Sequence, residues 1–230
     1  AKKLFELLET LVLSDKMTIG ARSTFNILYH HRTQGTGAEG VHIAGIIKGL
    51  RDIGQNVYVV SPPGVDPEKT AGDSPSGKKK STINVVLSHT VRIIPQFLFE
   101  ILEILYNVRA YRSIKAIIKK HKVDFVYERH SFFSFAATLL ANKYAIPIII
   151  EVNEVAGEKR VRKQCFTGLA KKVERYVFEN AHSIIVVSDF LKSRIGEYHI
   201  DAGKILVMPN GIDPVKFQTN GGREDLRKRY

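Results

Sequence analysis

The stretch that decides the fold is VDFVYERHSFFSFAATLLANKYAIPIIIEVN, residues 123–153. Its two short apolar runs, 124–128 and 147–152, predict strands, and the segment 132–144 between them predicts a helix. Unbroken apolar strands joined by a helix are typical of a parallel β-sheet that is buried on both faces. This stretch therefore predicts a strand–helix–strand unit of an α/β protein.

The same alternation continues on both sides of this unit. Further strands are predicted at 25–29, 56–60, 83–87, 183–187 and 204–208, and further helices at 41–53, 95–121, 168–181 and 189–198. Ser188 is a favourable N-cap for the last helix. We predict a doubly wound, mostly parallel Rossmann-like sheet of about seven strands with helices on both faces. Ligands of such sheets bind outside the carboxyl ends of the strands.

The domain boundaries follow from the limits of this pattern. Residues 1–24 are predicted to be an N-terminal helical extension, 25–210 the Rossmann-like domain, and 211–230 a linker towards a C-terminal domain that the chain lacks. With 230 residues, 44% of them hydrophobic and 25% charged, the chain has the composition of a soluble globular protein. Its single cysteine excludes an intrachain disulfide framework and a cysteine-based zinc site.

A glycine-rich segment follows the first strand. Gly35, Gly37 and Gly40 match the pattern G-x-G-x-x-G of dinucleotide-binding proteins. The segment between Tyr29 and Gly35 is too long for the tight turn of that motif, and no acidic residue follows the second strand. A backbone surface for phosphate or sugar is therefore favoured over an NAD-type site, and a purely structural loop remains the alternative.

Polar residues follow two central strands. Arg129 and His130 are interpreted as a pair that binds an anion or a sugar hydroxyl, and Glu151 with Asn153 as hydrogen-bonding partners of a polyol. A structural role for His130 is an equally good interpretation. The sequence contains no nucleophile elbow, no P-loop and no H-E-x-x-H zinc motif.

Four segments in order carry a family resemblance: GTGAEGVH at 35–42, YERH at 127–130 with AIPIIIEVN at 145–153, VERYVFENAHSIIVVS at 173–188 before FLK, and VMPNGID at 207–213 before Phe217. Together they resemble the N-terminal domain of a family 4 glycosyltransferase, a retaining, nucleotide-sugar-dependent enzyme of the GT-B fold. The resemblance implies two Rossmann-like domains across a cleft, of which the N-terminal one mainly holds the acceptor. The E-x7-E motif of the donor-binding domain is absent from this sequence. The chain is therefore expected to be the acceptor-binding half of the enzyme and to be inactive alone.

The resemblance also implies roles for individual residues. His130 is expected to be the catalytic histidine near the transferred sugar, and the expected substrate-binding residues are Gly35, Thr36, Gly37, Glu39, Arg129, Glu151, Asn153, Asn210 and Gly211. The nucleotide sugar is the co-substrate, the acceptor is a glycan or a lipid-linked molecule, and neither a cofactor nor a metal is expected. The expected location is cytoplasmic, at the inner face of the membrane.

The formal charge of +12 predicts an anionic partner. Residues 91–122 combine apolar and aromatic side chains with Arg and Lys, which is typical either of a core-packed helix with a solvated basic face or of peripheral contact with an anionic membrane. A second basic cluster is interpreted as lining an anionic acceptor site: Lys159, Arg160, Arg162, Lys163, Lys171, Lys172 and Arg175. No nucleic-acid recognition module is visible, so nucleic acid is not predicted as a partner.

Two other functions remain open, a sugar-nucleotide epimerase on the same scaffold and a stand-alone, non-catalytic module that binds an anionic surface.

Overall fold

The computed structural model describes residues 24–33, 37–67, 95–158 and 164–209. The strands are β1 Asn26–His30, β2 Asn56–Val60, β3 Phe125–Arg129, β4 Ile148–Val152, β5 Ser183–Val186 and β6 Ile205–Val207. The helices are α1 Ala38–Asp52, α2 Gln96–Lys120, α3 Ala136–Lys143, α4 Thr167–Glu179 and α5 Asp189–Gly196, and a 3₁₀ turn at Ala202–Lys204 precedes β6. These elements confirm the predicted ones within the described ranges. The predicted strand at 83–87, residues 1–23 of the extension and the linker 211–230 lie outside the described residues.

All described strands are parallel and form one sheet in the order β2-β1-β3-β4-β5-β6. From β1 the chain moves outward to β2 on one side, and from β3 it moves outward on the other side. The carboxyl ends of β1 and β3 therefore border the crevice in which ligands of doubly wound sheets bind. The parallel, Rossmann-like fold is confirmed, with six strands in the described part of the chain.

Each face of the sheet has its own apolar core. Ile27 and Tyr29 of β1 pack with α1, in a cluster that also contains Tyr127 and Ile149. Leu28 of β1 packs on the other face, in a cluster with residues of α2, α3, α4 and α5. Because side chains alternate along a strand, the odd-numbered residues of β1, β3 and β4 face α1 and the even-numbered ones face the other helices. We call these the α1 face and the α2 face.

The helix after β3 begins later than predicted. Residues 131–135 form a turn in which Phe133 has a φ of 61°, and α3 starts only at Ala136. Asn107 of α2 holds this turn through its side-chain amide. The amide nitrogen donates to the carbonyls of Ile104 and Phe133 at 2.9 and 2.7 Å. The amide oxygen accepts the N–H groups of Phe135 and Ala136 at 2.9 and 3.1 Å. The buried Asn107 amide thus fixes the segment that follows β3.

Candidate functional site

Glu151 is the centre of a hydrogen-bonded cluster on the α1 face. Its Oε1 lies 2.6 Å from Nη1 of Arg129, 3.0 Å from Nε2 of His42 and 2.8 Å from Nδ2 of Asn153. Its Oε2 accepts the hydroxyl of Tyr127 at 3.0 Å. The structure therefore brings together three predicted residues, Arg129, Glu151 and Asn153. Both oxygens of the carboxylate are already occupied by protein donors.

The cluster keeps Glu151 ionised. Burial by itself raises the pKa of this carboxyl, but the hydrogen bond from His42, the charge of Arg129 and the hydrogen bond from Asn153 outweigh burial and hold the pKa below its ordinary value. Burial, followed by the charge of Glu151, raises the pKa of Tyr127 well above 10.0, so Tyr127 stays a hydroxyl donor. The α1 face thus carries a buried, paired negative charge.

Arg129 and His130 lie on opposite faces of the sheet, so the interpretation of the two as one binding pair is wrong. Alternation at the end of β3 sends Arg129 to Glu151 and sends His130 towards α4. There Nε2 of His130 lies 3.2 Å from Oε1 of Glu174, and the ring packs against Phe132 and Phe178. Glu174 also accepts the N–H of Ala156 at 2.8 Å and the hydroxyl of Tyr198 at 2.6 Å. The predicted catalytic role of His130 stays a prediction.

A second polar cluster lies at the end of β1 on the α2 face. His30 pairs with Glu128 across the β1–β3 ladder, and Nδ1 of His30 is 2.9 Å from Oε1 of Glu128. Ser134 donates to the same oxygen at 2.8 Å, and the ring of Tyr106 stacks on that of His30 with centroids 6.2 Å apart. The side chains of His30 and Glu128 are only 1% and 2% exposed. This cluster occupies the point where the strand order reverses.

The neighbouring His31 is held neutral. Its side chain is buried beneath the loop after β2, where Nε2 lies 2.8 Å from the hydroxyl of Ser61. Burial, assisted by the adjacent His30, lowers the pKa of His31 from 6.5 to about 4. A neutral imidazole therefore persists here at physiological pH.

The N-terminus of α1 is the part of the glycine-rich segment that the structure describes. Gly37 precedes the helix with φ 83°, a conformation that favours glycine, and a Cβ at this position would meet no atom within 4 Å. Glu39, in the first turn, is exposed. His42 in the next turn ties this end of α1 to Glu151. Gly35, Thr36, Asn210, Gly211 and the basic residues 159–163 lie outside the described residues.

Several polar groups around the crevice carry no local signal in the sequence. His42 lies 109 positions from Glu151, and no local pattern marks a helical histidine as its partner. The alternation of side chains along β1 and β3 places His30 and Glu128 together, but only once the two strands are known to be neighbours. Among the described residues, no group of three or more His, Cys, Asp or Glu side chains is arranged to hold a metal ion. Within the same ranges, no helix has the length and apolar character required to cross a membrane.

Comparison with known proteins identifies the sequence family of this site. The family model described as Glycosyltransferase Family 4 matches residues 39–216 of this chain. The match includes β2 to β6, most of α1 and the clusters around Glu151 and Glu174. No curated protein matches the chain in sequence.

Solved structures share the fold at low sequence identity. A glycosyltransferase from Rickettsia africae ESF-5 superposes with a TM-score of 0.54 at 19% identity, over 90% of this chain and 49% of its own. MnaA from S. aureus, solved with UDP, superposes with a TM-score of 0.53 at 16% identity, over 85% of this chain and 48% of its own. The UDP-GlcNAc 2-epimerase from Neisseria meningitidis, bound to UDP-GlcNAc, superposes with a TM-score of 0.51 at 14% identity. The superposition covers 81% of this chain and 46% of the epimerase. The chain spans about half the length of these proteins, and the likeness shows the fold.

Proposed function

The chain belongs to Glycosyltransferase Family 4, and on that premise we propose that it is the acceptor-side half of an enzyme that transfers a sugar from a nucleotide sugar to a hydroxyl of a glycan or lipid-linked acceptor, with retention. A second, donor-binding domain would complete the cleft, since the chain covers about half of each similar structure. The half described here is expected to have little transferase activity alone. The proposed reaction needs no cofactor besides the nucleotide sugar.

The observation that carries this proposal is the position of the N-terminus of α1. The first N–H groups of a helix lack intrahelical partners and attract anions, such as the diphosphate of a nucleotide sugar. The contact between His42 and Glu151 holds this end of α1 beside the carboxyl end of β4. A Cβ at position 37 would meet no atom within 4 Å. Oriented N–H groups of this kind stabilise the charge that develops on a departing diphosphate.

Two glycine substitutions test this assignment in the natural protein that carries the chain. Gly37→Ala places a side chain at a φ of 83°, which strains the backbone, so we expect the transfer rate to fall. Gly45→Ala is the matched control, because Gly45 lies inside α1, where alanine is favoured by about 0.5 to 1 kcal/mol. Equal transfer rates in the two variants would contradict a role for the α1 N-terminus. Transfer is measured as labelled sugar on the acceptor, with UDP-GlcNAc and other common nucleotide sugars as donors.

The role of His130 is tested separately. Its ring is buried and hydrogen-bonded to Glu174, so contact with a sugar requires this ring to change its partner. If His130 acts on the transferred sugar, His130→Gln lowers kcat while stability and the acceptor KM are kept. If the ring only positions the end of β3, stability falls, and it falls to a similar extent in Glu174→Gln.

A peripheral membrane contact is the second part of the proposal. One face of α2 exposes six large apolar side chains, each between 38% and 57% accessible: Phe97, Leu98, Ile101, Leu102, Leu105 and Val108. Their spacing of three or four residues aligns them, and the same face continues into exposed cations at Arg109, Arg112, Lys119 and Lys120. Apolar side chains beside Lys and Arg suit the headgroup region of an anionic leaflet. The protein would then work at the inner face of the membrane. Arg92 and the rest of 91–94 lie outside the described residues.

Vesicle flotation tests this contact. The chain is mixed with vesicles of phosphatidylcholine alone or of phosphatidylcholine with phosphatidylglycerol, and we expect recovery with the anionic vesicles only. Leu105→Glu is expected to abolish recovery, whereas Leu139→Glu, at a similarly exposed leucine of α3, is expected to keep it. Equal recovery with both vesicle types, or equal loss in both variants, would contradict the contact.

A further inference from the structure

The buried carboxylates on the two faces of the sheet differ in one respect. On the α1 face, both carboxylate oxygens of Glu151 accept hydrogen bonds from protein donors. On the α2 face, Oε2 of Glu128 and Nε2 of His30 are buried and have no hydrogen-bond partner within the described residues. The hydroxyl of Tyr106, whose ring stacks on His30, is also buried and unpartnered there. Leaving such buried groups without a hydrogen bond destabilises a protein, so a binding partner for them is expected.

The chemistry of these atoms defines the partner. A carboxylate only accepts hydrogen bonds, so Nδ1 of His30 donates to Glu128, and in the neutral ring Nε2 presents a lone pair. Glu128 Oε2 is a second acceptor. Burial raises the pKa of Tyr106, with Arg32 and Arg109 opposing the shift, so Tyr106 remains a hydroxyl donor. Nη1 of Arg32 is a further buried donor without a partner in the described residues, and its other nitrogen donates to Glu103 at 2.7 Å.

Two acceptors and a neighbouring hydroxyl donor fit a molecule whose groups both donate and accept. Hydroxyl groups of a sugar or polyol do both. A phosphate does not suit the subsite, because the free oxygen of Glu128 would repel it. The place of these residues in the sheet also fits a ligand site. His30 and Glu128 stand opposite each other at the carboxyl ends of β1 and β3, where the strand order reverses.

We propose that His30, Glu128 and Tyr106 form a subsite for the hydroxyl groups of the acceptor, in which His30 Nε2 and Glu128 Oε2 accept hydrogen bonds and Tyr106 donates one. The proposal rests on the proposed function, because the acceptor is the second substrate of that reaction. It moves the acceptor contact from Glu151, whose two carboxylate oxygens already accept protein hydrogen bonds, to the α2 face. Ser134 is a positioning residue, since its hydroxyl holds the oxygen of Glu128 that pairs with His30.

Binding to the 230-residue chain tests the subsite without any transfer reaction. The probes are methyl α-glucoside as a neutral polyhydroxyl compound and glucose 6-phosphate as its anionic counterpart. The readout is the Nε2 resonance of His30 in the histidine-labelled chain, assigned with His30→Asn, which keeps a donor towards Glu128 and removes Nε2. We expect methyl α-glucoside to shift this resonance saturably and glucose 6-phosphate to bind no better.

Two tyrosine variants separate ligand binding from structure. Tyr106→Phe removes a hydroxyl that has no partner in the described residues, so stability should not fall, while the Kd for methyl α-glucoside rises about 2- to 10-fold. Tyr198→Phe removes a hydroxyl that donates to Glu174 at 2.6 Å, so stability should fall while the Kd is unchanged.

Three results would overturn the subsite: no saturable shift at His30, an unchanged Kd in Tyr106→Phe, or tighter binding of glucose 6-phosphate. The first would mean that water alone satisfies these atoms. A failure of sugar transfer by the natural protein would instead contradict the proposed function and leave the binding result standing.

Discussion

Nε2 of His42 lies 3.0 Å from Oε1 of Glu151, and this contact joins the second turn of α1 to the end of β4 across 109 positions of sequence. It connects the glycine-preceded start of α1 with the buried ion pair of Glu151 and Arg129. The helix end that we assign to the donor diphosphate is therefore fixed to the sheet by a side-chain contact as well as by apolar packing. Both partners can be changed separately.

Removing the charge of Glu151 should destabilise the domain. Glu151→Gln leaves the guanidinium of Arg129, whose side chain is 10% exposed, without its counter-charge, and we expect the free energy of unfolding to fall by about 3 kcal/mol. Urea unfolding at pH 7 measures this loss. The control is Glu39→Gln, at an exposed position of the same charge type, with an expected change below about 0.5 kcal/mol. Equal stability of the two variants would show that the ion pair contributes nothing.

Removing His42 should raise the pKa of Glu151. The hydrogen bond from His42 is the first of the interactions that hold this pKa down against burial, so His42→Ala is expected to shift it upward. A carboxyl whose pKa is lowered by folding stabilises the protein above its unfolded pKa, and this stability is lost as pH falls through the folded value. Acidification should therefore remove less stability from His42→Ala than from the wild-type chain. Carbon-13 NMR titration of the Glu carboxyls measures the pKa, and His199→Asn, at an exposed histidine, should leave it unchanged.

His31 should make the protein less stable in mild acid. Its folded pKa is about 4, so between pH 6.5 and about 4 the unfolded chain binds a proton that the folded chain does not. We expect this difference to remove on the order of 2 to 3 kcal/mol of stability as the pH falls through that window. His31→Gln lacks this contribution, so the stabilities of wild type and variant should converge towards pH 4.5. Parallel pH profiles in urea unfolding would rule out this assignment.

The sequence predicts the sheet better than it predicts the site. Apolar runs such as 148–150 mark the buried strands that the structure describes, and Ser188 accepts the N–H of Leu191 at 3.4 Å as an N-cap should. α3 begins four residues later than the sequence predicts, because Asn107 imposes a turn on residues that would otherwise suit a helix. Local pattern carries no information about a contact made by a helix elsewhere in the chain.

The polar residues show the same limit. Arg129 and His130 are adjacent in sequence, which suggests one binding unit, but neighbours at the end of a strand point to opposite faces. Glu151 and Asn153 do lie together, but both carboxylate oxygens of Glu151 are occupied by protein donors, namely Asn153, Arg129, His42 and Tyr127. The unpartnered atoms of His30 and Glu128 emerge only from the pairing of β1 with β3. Which polar group is free is a property of the folded molecule.

The most direct test of sugar transfer is product analysis by NMR with the natural protein that carries this chain. UDP-GlcNAc and other common nucleotide sugars are supplied with hydroxyl acceptors, and the anomeric signals of donor and product are followed together. The proposed function predicts a new glycoside that has the anomeric configuration of the donor, formed in step with free nucleoside diphosphate. An epimerised sugar that appears without any glycoside would contradict it.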